Sequence, residues 1–273
     1  DSIQTSFSAE AEGEAGSVSQ VKACTVKLME AAKKNKITFI LIGQVTKDGA
    51  VAGPKTLEHL VDTVLYLEGD RFHDFRILRC AKNRFGHTDE VGVFTMEKDG
   101  LKEVKNPSAA LISERTEAVP GTVITCIMES TRPMLIEIQA LVTKTNFGFP
   151  QRRASGFDLN RLQVLIGVLS RRAGLPLESY DVFLNVVGGL KADEPAADLA
   201  VILAISSGLK DKTLPPSLAA FGEVGLSGEV RTVSQTEKRL NEIKNLGLDI
   251  AVMPQSSKLP KIKSNSTYFF WFW

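Results

Sequence analysis

The first hundred residues carry a helical hydrophobic pattern followed by several strand patterns. A helix is predicted after Ser17, which has the capping-box spacing with Gln20, because the next apolar positions follow a helical period. The continuous apolar run 37–43 is typical of a strand covered on both faces. Further strands are predicted at 60–69, 75–81, 90–96 and 100–104. The last two form a hairpin, so the pattern predicts an α/β fold with a mainly parallel sheet that ends in antiparallel strands.

The pattern changes after residue 118. Two strands, 121–129 and 133–143, are joined by a short turn, and Asp158 can cap an amphipathic helix that ends before Gly174. Another strand, an apolar helix and a polar helix flanked by short strands follow. This order predicts an α+β domain. The chain is therefore divided into a first domain, a connector, a second domain and a tail, at 1–104, 105–118, 119–256 and 257–273.

Composition excludes several classes of protein without indicating a chemistry. Apolar residues make up 43% of the chain, charged residues 24%, and the formal net charge is +1. A nucleic-acid site would therefore have to be a local patch. No apolar run is long enough to cross a bilayer, and the three cysteines and three histidines lack metal-ligand spacing. The phosphate-loop, zinc-protease and serine-hydrolase motifs are absent from the sequence.

Several short stretches resemble one known family, the bacterial-type RadA (also called Sms) DNA-repair proteins. The pentapeptide KNRFG at 82–86 is the hallmark of that family. It lies among longer matches in the same order along about residues 1–256. These matches are DSIQT (1–5), GSVSQVK (16–22), IGQVTKDG (42–49), AGPKTLEHLVDTVLYLEGD (52–70), ISERTE (112–117), QRRASGFDLNRL (151–162) and GEVGLSGEVR (222–231).

The resemblance implies the C-terminal part of a RecA-like ATPase core followed by a domain similar to the Lon protease domain. It implies an ATP- and Mg²⁺-dependent motor that forms ring hexamers, drives branch migration on single-stranded and branched DNA, and works with a RecA-type recombinase. It also implies a zinc finger and a Walker A loop, which we expect upstream of Asp1, so that the chain would be a piece of a longer protein. No membrane partner is expected. The compartment would be the bacterial cytoplasm, or a plastid or mitochondrion in a eukaryote.

The resemblance also suggests roles for residues of the first domain. Lys82 and Arg84 lie two positions apart and so share one side of a strand end, where they would stabilise a transferring phosphoryl group of a neighbouring subunit. Without the resemblance, a solvated strand end is the better interpretation. Asp1 resembles the carboxylate that orients the magnesium shell, although an ordinary turn residue is the alternative. Gln44 would sense the γ-phosphate, and Lys55 would lie in a DNA-facing loop.

In the second domain the resemblance argues against proteolysis. The nucleophile of Lon-type enzymes is a serine, and Ala196 stands in its place within ADEPAAD; Glu237 stands in the place of the lysine base. A scaffold or DNA-binding surface is expected instead. The arginines between 152 and 172 would contact phosphates from one patch, with a solvated helix face as the alternative. The patch consists of Arg152, Arg153, Arg161, Arg171 and Arg172, of which the first three are the main candidates.

Three functions remain open on the sequence. The first is a RadA-type DNA-repair ATPase. The second is a non-catalytic DNA-binding assembly subunit, because the chain has no phosphate loop of its own. The third is a Lon-like peptidase, against which the alanine at position 196 speaks.

Overall fold

The computed structural model describes residues 2–44, 53–69, 75–113, 119–146, 148–188, 190–255 and 267–270, with the backbone alone at 53–56, 113 and 267–270. The chain divides into two compact units. The first comprises Asp1–Leu67 and Leu78–Glu90, and the second comprises Glu68–Ile77 and Val91–Trp273.

Among the described residues, the N-terminal part of the chain contains two α-helices and a four-stranded sheet. The helices are α1 (Val18–Asn35) and α2 (Gly53–Leu60), and the strands are β1 (Thr63–Gly69), β2 (Phe75–Asn83), β3 (Val91–Glu97) and β4 (Gly100–Glu103). The sheet order is β1-β2-β3-β4. The predicted hairpin is confirmed, since β3 and β4 pair antiparallel around the turn between Glu97 and Gly100.

Helix α1 begins as the sequence predicts. Ser17 is its N-cap and accepts a hydrogen bond from the Gln20 amide. The Gln20 side chain is fully buried and binds the preceding loop through the Ser8 amide and the carbonyl oxygens of Ser8 and Ala11. The buried face of the helix packs in a small core that includes Ile3, Val21, Cys24 and Leu57.

The predicted strand at 37–43 is wrong. No strand is assigned there, and Ile37, Phe39 and Ile40 are exposed. A strand exists only through hydrogen bonds to a neighbour, and the backbone of this run is bonded instead at its two ends. The Ile37 amide donates to Ala32 and the Ile42 carbonyl accepts from Ile3. An apolar composition does not by itself provide a strand with a pairing partner.

The second unit is built on a seven-stranded mixed sheet. Its further helices are α3 (Pro107–Ser113), α4 (Leu159–Arg172), α5 (Asp198–Lys210) and α6 (Thr236–Asn245). Its further strands are β5 (Thr122–Glu129), β6 (Arg132–Lys144), β7 (Arg152–Ser155), β8 (Tyr180–Val186), β9 (Leu218–Ala220), β10 (Glu223–Val224), β11 (Val230–Arg231), β12 (Ile250–Met253) and β13 (Thr267–Phe270). The sheet order is β13-β12-β9-β5-β6-β8-β7.

The fold is of the predicted α/β class, and the strand directions within this sheet are mixed. Strand β5 pairs antiparallel with β6, and β6 pairs antiparallel with β8. The pairs β5–β9, β9–β12, β12–β13 and β7–β8 are parallel. Helix α3 lies inside the stretch that was predicted as a connector, and β13 lies inside the predicted tail.

Two cores lie on opposite faces of β5, because alternate side chains of a strand point to opposite sides. Val123 and Ile127 belong to the core that contains α4 and α5. Ile124 and Cys126 belong to the core that contains α6. The predicted amphipathic helix is confirmed as α4, which Asp158 caps by accepting from the Arg161 amide. The predicted apolar and polar helices are confirmed as α5 and α6.

Candidate functional site

Lys82 lies near the end of β2 and reaches back to helix α2. Its ammonium group donates hydrogen bonds to the carbonyl oxygens of Glu58, at 2.6 Å, and Val61, at 2.8 Å. The last carbonyl groups of a helix have no partner within the helix and form its negative end. Lys82 therefore satisfies the carboxyl end of α2 with a full positive charge.

Arg84 follows strand β2 and binds Asp62, the residue after Val61. Its Nη1 lies 3.0 Å from Asp62 Oδ1, and its backbone amide donates to the Asp62 carbonyl at 3.0 Å. The Arg84 and Asp62 side chains are 55% and 39% exposed, so water screens the pair strongly. Lys82 and Arg84 thus both reach residues 58–62. Their action on a phosphate in another subunit stays a prediction.

The turn after the two cations is shaped by Asn83. Its side-chain oxygen accepts a hydrogen bond from the Phe85 amide at 3.1 Å, which is the geometry of an Asx turn. Phe85 is 82% exposed. The residues after Lys82 therefore form a turn whose aromatic side chain, that of Phe85, faces water.

The other predicted residues of the first domain are only partly defined. The backbone of Gln44 is held by Gln4, whose side chain donates to the Gln44 carbonyl at 3.0 Å and accepts from its amide at 3.4 Å. Lys55 lies in the first turn of α2, where the structure describes the backbone alone. Asp1 lies outside the described residues. The predicted roles of these three residues stay predictions.

In the second unit, a buried ion pair lies beside the position of the missing serine. Ala196 is 1% exposed and offers no nucleophile. Two residues earlier, Glu194 accepts from Arg239 Nη1 and Nη2 at 2.7 Å each and from the Met128 amide at 2.7 Å. Glu237, in the place of the lysine base, lies in the exposed first turn of α6. Ala196 provides no hydroxyl at this position, and the nearby Glu194 carboxylate is bound by Arg239.

Arg239 is the centre of this network and was missed in the sequence. Its side chain is fully buried, and it also donates to the carbonyl oxygens of Cys126 and Ser234. The arrangement satisfies all three guanidinium nitrogens, as a buried cation requires. Glu194, two positions before Ala196, was the available signal, because a carboxylate near a buried strand needs a cation.

The Cys126 thiol beneath Arg239 is no substitute nucleophile. Burial raises its pKa to about 12, although Arg239 acts in the opposite direction. The thiolate is the reactive form of cysteine. Cys126 is therefore a neutral, unreactive part of the core at neutral pH.

Arg152 serves the fold. Its guanidinium group donates to the carbonyl oxygens of Gln151 at 3.0 Å, Leu177 at 2.6 Å and Tyr180. Burial lowers the pKa of Arg152 from its usual value, while Asp181 acts in the opposite direction. The group closes the loop before β8, which leaves few donors for a ligand.

Arg161 is bound to a buried carboxylate, so its expected orientation towards solvent is wrong. Its Nε lies 3.0 Å from Asp198 Oδ1, a second nitrogen binds Asp198 Oδ2, and the same nitrogen donates to the Val224 carbonyl at 2.8 Å. Burial raises the pKa of Asp198, whose side chain is fully buried, and Arg161 opposes that shift. The prediction failed because Arg161 binds the buried Asp198 carboxylate, and apolar periodicity does not reveal such a partner.

Arg161 and Arg172 lie on one face of α4. Arg172 Nε lies 3.4 Å from the Leu226 carbonyl, so Arg161 and Arg172 both reach the hairpin formed by β10 and β11. Of the three main DNA candidates, only Arg153 has an exposed side chain, on β7 at the edge of the sheet. The structure therefore separates two arginines that serve the fold from one that faces water.

Within the residues that the structure describes, no group of three or more His, Cys, Asp or Glu side chains could hold a metal ion. None of the helices in that part of the chain is long and apolar enough to cross a membrane.

The chain is similar to bacterial proteins named DNA repair protein RadA. It is 50% identical to that of Bacillus subtilis, 51% to that of Streptococcus pneumoniae and 46% to that of Halalkalibacterium halodurans, in each case over 257 residues or 94% of this chain. It spans 56% to 61% of the length of these relatives. No model of a protein family matches the chain.

Proposed function

Because the chain belongs to the RadA family of DNA repair proteins, we propose that it is part of an ATP-driven motor that acts on DNA during recombinational repair. Identity of about 50% over 94% of the chain is the observation that carries the proposal. The expected work is branch migration on single-stranded and branched DNA by a ring of six subunits, in concert with a RecA-type recombinase. The relatives are longer than this chain, so these activities are proposed for the whole protein.

ATP with Mg²⁺ would lie between two subunits, and this chain would supply only part of its site. Lys82 and Arg84 would supply two positive charges to its phosphates. The sequence contains no phosphate loop, so the cradle would have to come from elsewhere in the whole protein. When bound, ATP would supply the bond to its γ-phosphate, whose hydrolysis would drive the motor. Lys82 and Arg84 would approach its outer oxygens and stabilise the negative charge that grows there.

We propose that the second unit is a scaffold with a DNA-facing surface, without peptidase activity. Ala196 and the Glu194–Arg239 pair support the loss of peptidase chemistry. Arg153 is the strongest DNA candidate in this unit, because Arg152 and Arg161 are bound to the protein itself. Casein cleavage by the purified chain would contradict this view.

The central test is Lys82→Ala in a version of the protein that carries the phosphate loop of the family. We expect nucleotide binding to be mostly kept and ATP turnover to fall by about a hundredfold or more, the scale of a lost trans cation. Lys102→Ala is the matched control, because Lys102 is also a paired lysine on a strand, bound to Glu97. Mixing Lys82→Ala subunits with subunits that lack a working phosphate loop should restore turnover. An unchanged rate in the single variant would exclude the role.

A second candidate is a DNA-binding assembly subunit that does not hydrolyse ATP. The absence of a phosphate loop from these 273 residues favours it for the chain by itself. We expect the purified chain to bind no ATP in equilibrium dialysis. Magnesium-dependent ATP turnover by the purified chain would rule this candidate out.

A further inference from the structure

The carboxyl end of α2 and the loop after it hold both cations of the KNRFG motif. Lys82 donates to two carbonyl oxygens of this segment, and Arg84 binds its carboxylate and a third carbonyl. We call this set of contacts the α2 latch; it consists of Glu58, Val61, Asp62, Lys82 and Arg84. All five residues lie in the first unit.

The latch and a phosphate would draw on the same charges. An ammonium group has three donor hydrogens, and Lys82 uses two of them on the carbonyls of α2. Asp62 lies 3.0 Å from Arg84 and offsets its charge, which weakens the attraction of Arg84 for any other anion. A phosphate that takes up both cations must therefore displace part of the latch.

We propose that Asp62 is a positioning residue that holds Arg84 beside the end of α2, where Lys82 is bound to backbone carbonyls, and that nucleotide phosphates compete with this segment for both cations. The part about nucleotide rests on the proposed function. Helix α2 also contains Lys55, for which a DNA contact is proposed. Fixing α2 on DNA would then change how readily the cations are released to nucleotide. By linkage, bound nucleotide would change the affinity for DNA by the same factor.

The expected effects are modest because the Asp62–Arg84 pair is exposed. Exposed ion pairs shift equilibria by about two- to fivefold. Asp62→Asn keeps the size of the side chain and removes its charge. Asp62→Glu keeps the charge and should behave like the unchanged protein. Glu97→Gln is the matched control, because the Glu97 and Lys102 side chains are 45% and 55% exposed, close to 39% and 55% in the latch.

The first measurement needs no nucleotide and uses the 273-residue chain. Amide hydrogen exchange across residues 58–66 and acylation of Lys82 are followed by mass spectrometry. We expect both to become about two- to fivefold faster in Asp62→Asn and to stay unchanged in Asp62→Glu and Glu97→Gln. Equal rates in Asp62→Asn and the unchanged chain would overturn the latch, whatever the protein does with ATP.

The second measurement uses the protein with its phosphate loop. We expect Asp62→Asn to raise kcat for ATP by about two- to fivefold and to leave KM unchanged, because the cations act on the phosphoryl group as it is transferred and a competitor for them has been weakened. A latch that loosens in the first measurement without a change in kcat would overturn the competition. Absence of ATP turnover in the unchanged protein would contradict the proposed function, and the first measurement would still decide on the latch.

Discussion

Lys82 and Arg84 in the first unit and Arg239 in the second are all bound to oxygen atoms of the chain, but in different surroundings. Arg84 is 55% exposed and makes one ion pair, whereas Arg239 is fully buried and binds a carboxylate and two carbonyl groups. Water weakens the exposed Arg84 pair more than the Arg239 pair, in which the Glu194 side chain is 26% exposed. Arg84 can change partners at little cost, while Arg239 is committed to the fold.

The largest expected effect comes from removing the buried cation. Arg239→Ala leaves the Glu194 carboxylate beside a buried strand without its partner. We expect the free energy of unfolding to fall by about 3–5 kcal/mol, the usual cost of breaking a buried pair. Denaturant unfolding measures it, and Lys238→Ala, at the exposed neighbouring position, is the control. A loss below 1 kcal/mol in Arg239→Ala would erase the contrast between the two units.

The surroundings of Arg239 can be tested through Cys126. Its pKa is about 12 in the folded chain and 9.0 as the reference value for an unfolded one. Only the unfolded chain can lose this proton between those two pKa values. The contribution of Cys126 to the free energy of unfolding is therefore fully present below pH 9 and is lost as pH rises, by at most about 1.4 kcal/mol per pH unit. Cys126→Ala should remove that part of the pH dependence in unfolding curves at pH 8–11. Identical pH profiles would show that the thiol is open to water.

Arg161 and Arg172 provide an intermediate case on one helix face. Arg161→Ala leaves the buried Asp198 without its cation. We expect a loss of about 3 kcal/mol, at the lower end of the range for buried pairs, because the remaining Asp198 carboxylate is fully buried while the Arg161 side chain itself is 32% exposed. Arg172→Ala, which removes one long contact to the same hairpin, should change stability by less than about 0.5 kcal/mol. Thermal unfolding of the two variants side by side would reveal any departure from this order.

The smallest effect on stability is expected at Arg153. Arg153→Ala should leave the free energy of unfolding within about 0.5 kcal/mol of the original value, because its side chain is exposed. If it contacts a DNA phosphate, the salt dependence of single-stranded DNA binding should fall by about one unit in slope. Fluorescence anisotropy from low to moderate salt measures this slope, and an unchanged slope would move the DNA site away from β7.

Local signals predicted much of this fold, and long-range contacts account for what was missed. Ser17 and Asp158 mark the starts of α1 and α4 because a cap involves residues only three positions apart. The strand at 37–43 was predicted wrongly, because an apolar composition does not supply a neighbouring strand to pair with. Arg239 was missed because arginine is mostly exposed, and its partner Glu194 lies 45 positions away. KNRFG was recognised as a motif, yet its contact with α2 spans about twenty residues and depends on the fold.

The apolar run 37–43 has a consequence for handling the protein. It is an uncharged segment of high strand propensity, without proline, and Ile37, Ile40 and Ile42 are more than half exposed. Segments of this kind pair readily with copies of themselves and seed aggregates. A preparation of these 273 residues should therefore lose solubility steeply as its concentration rises, and a lysine in place of Ile40, whose side chain is 89% exposed, is the simplest remedy.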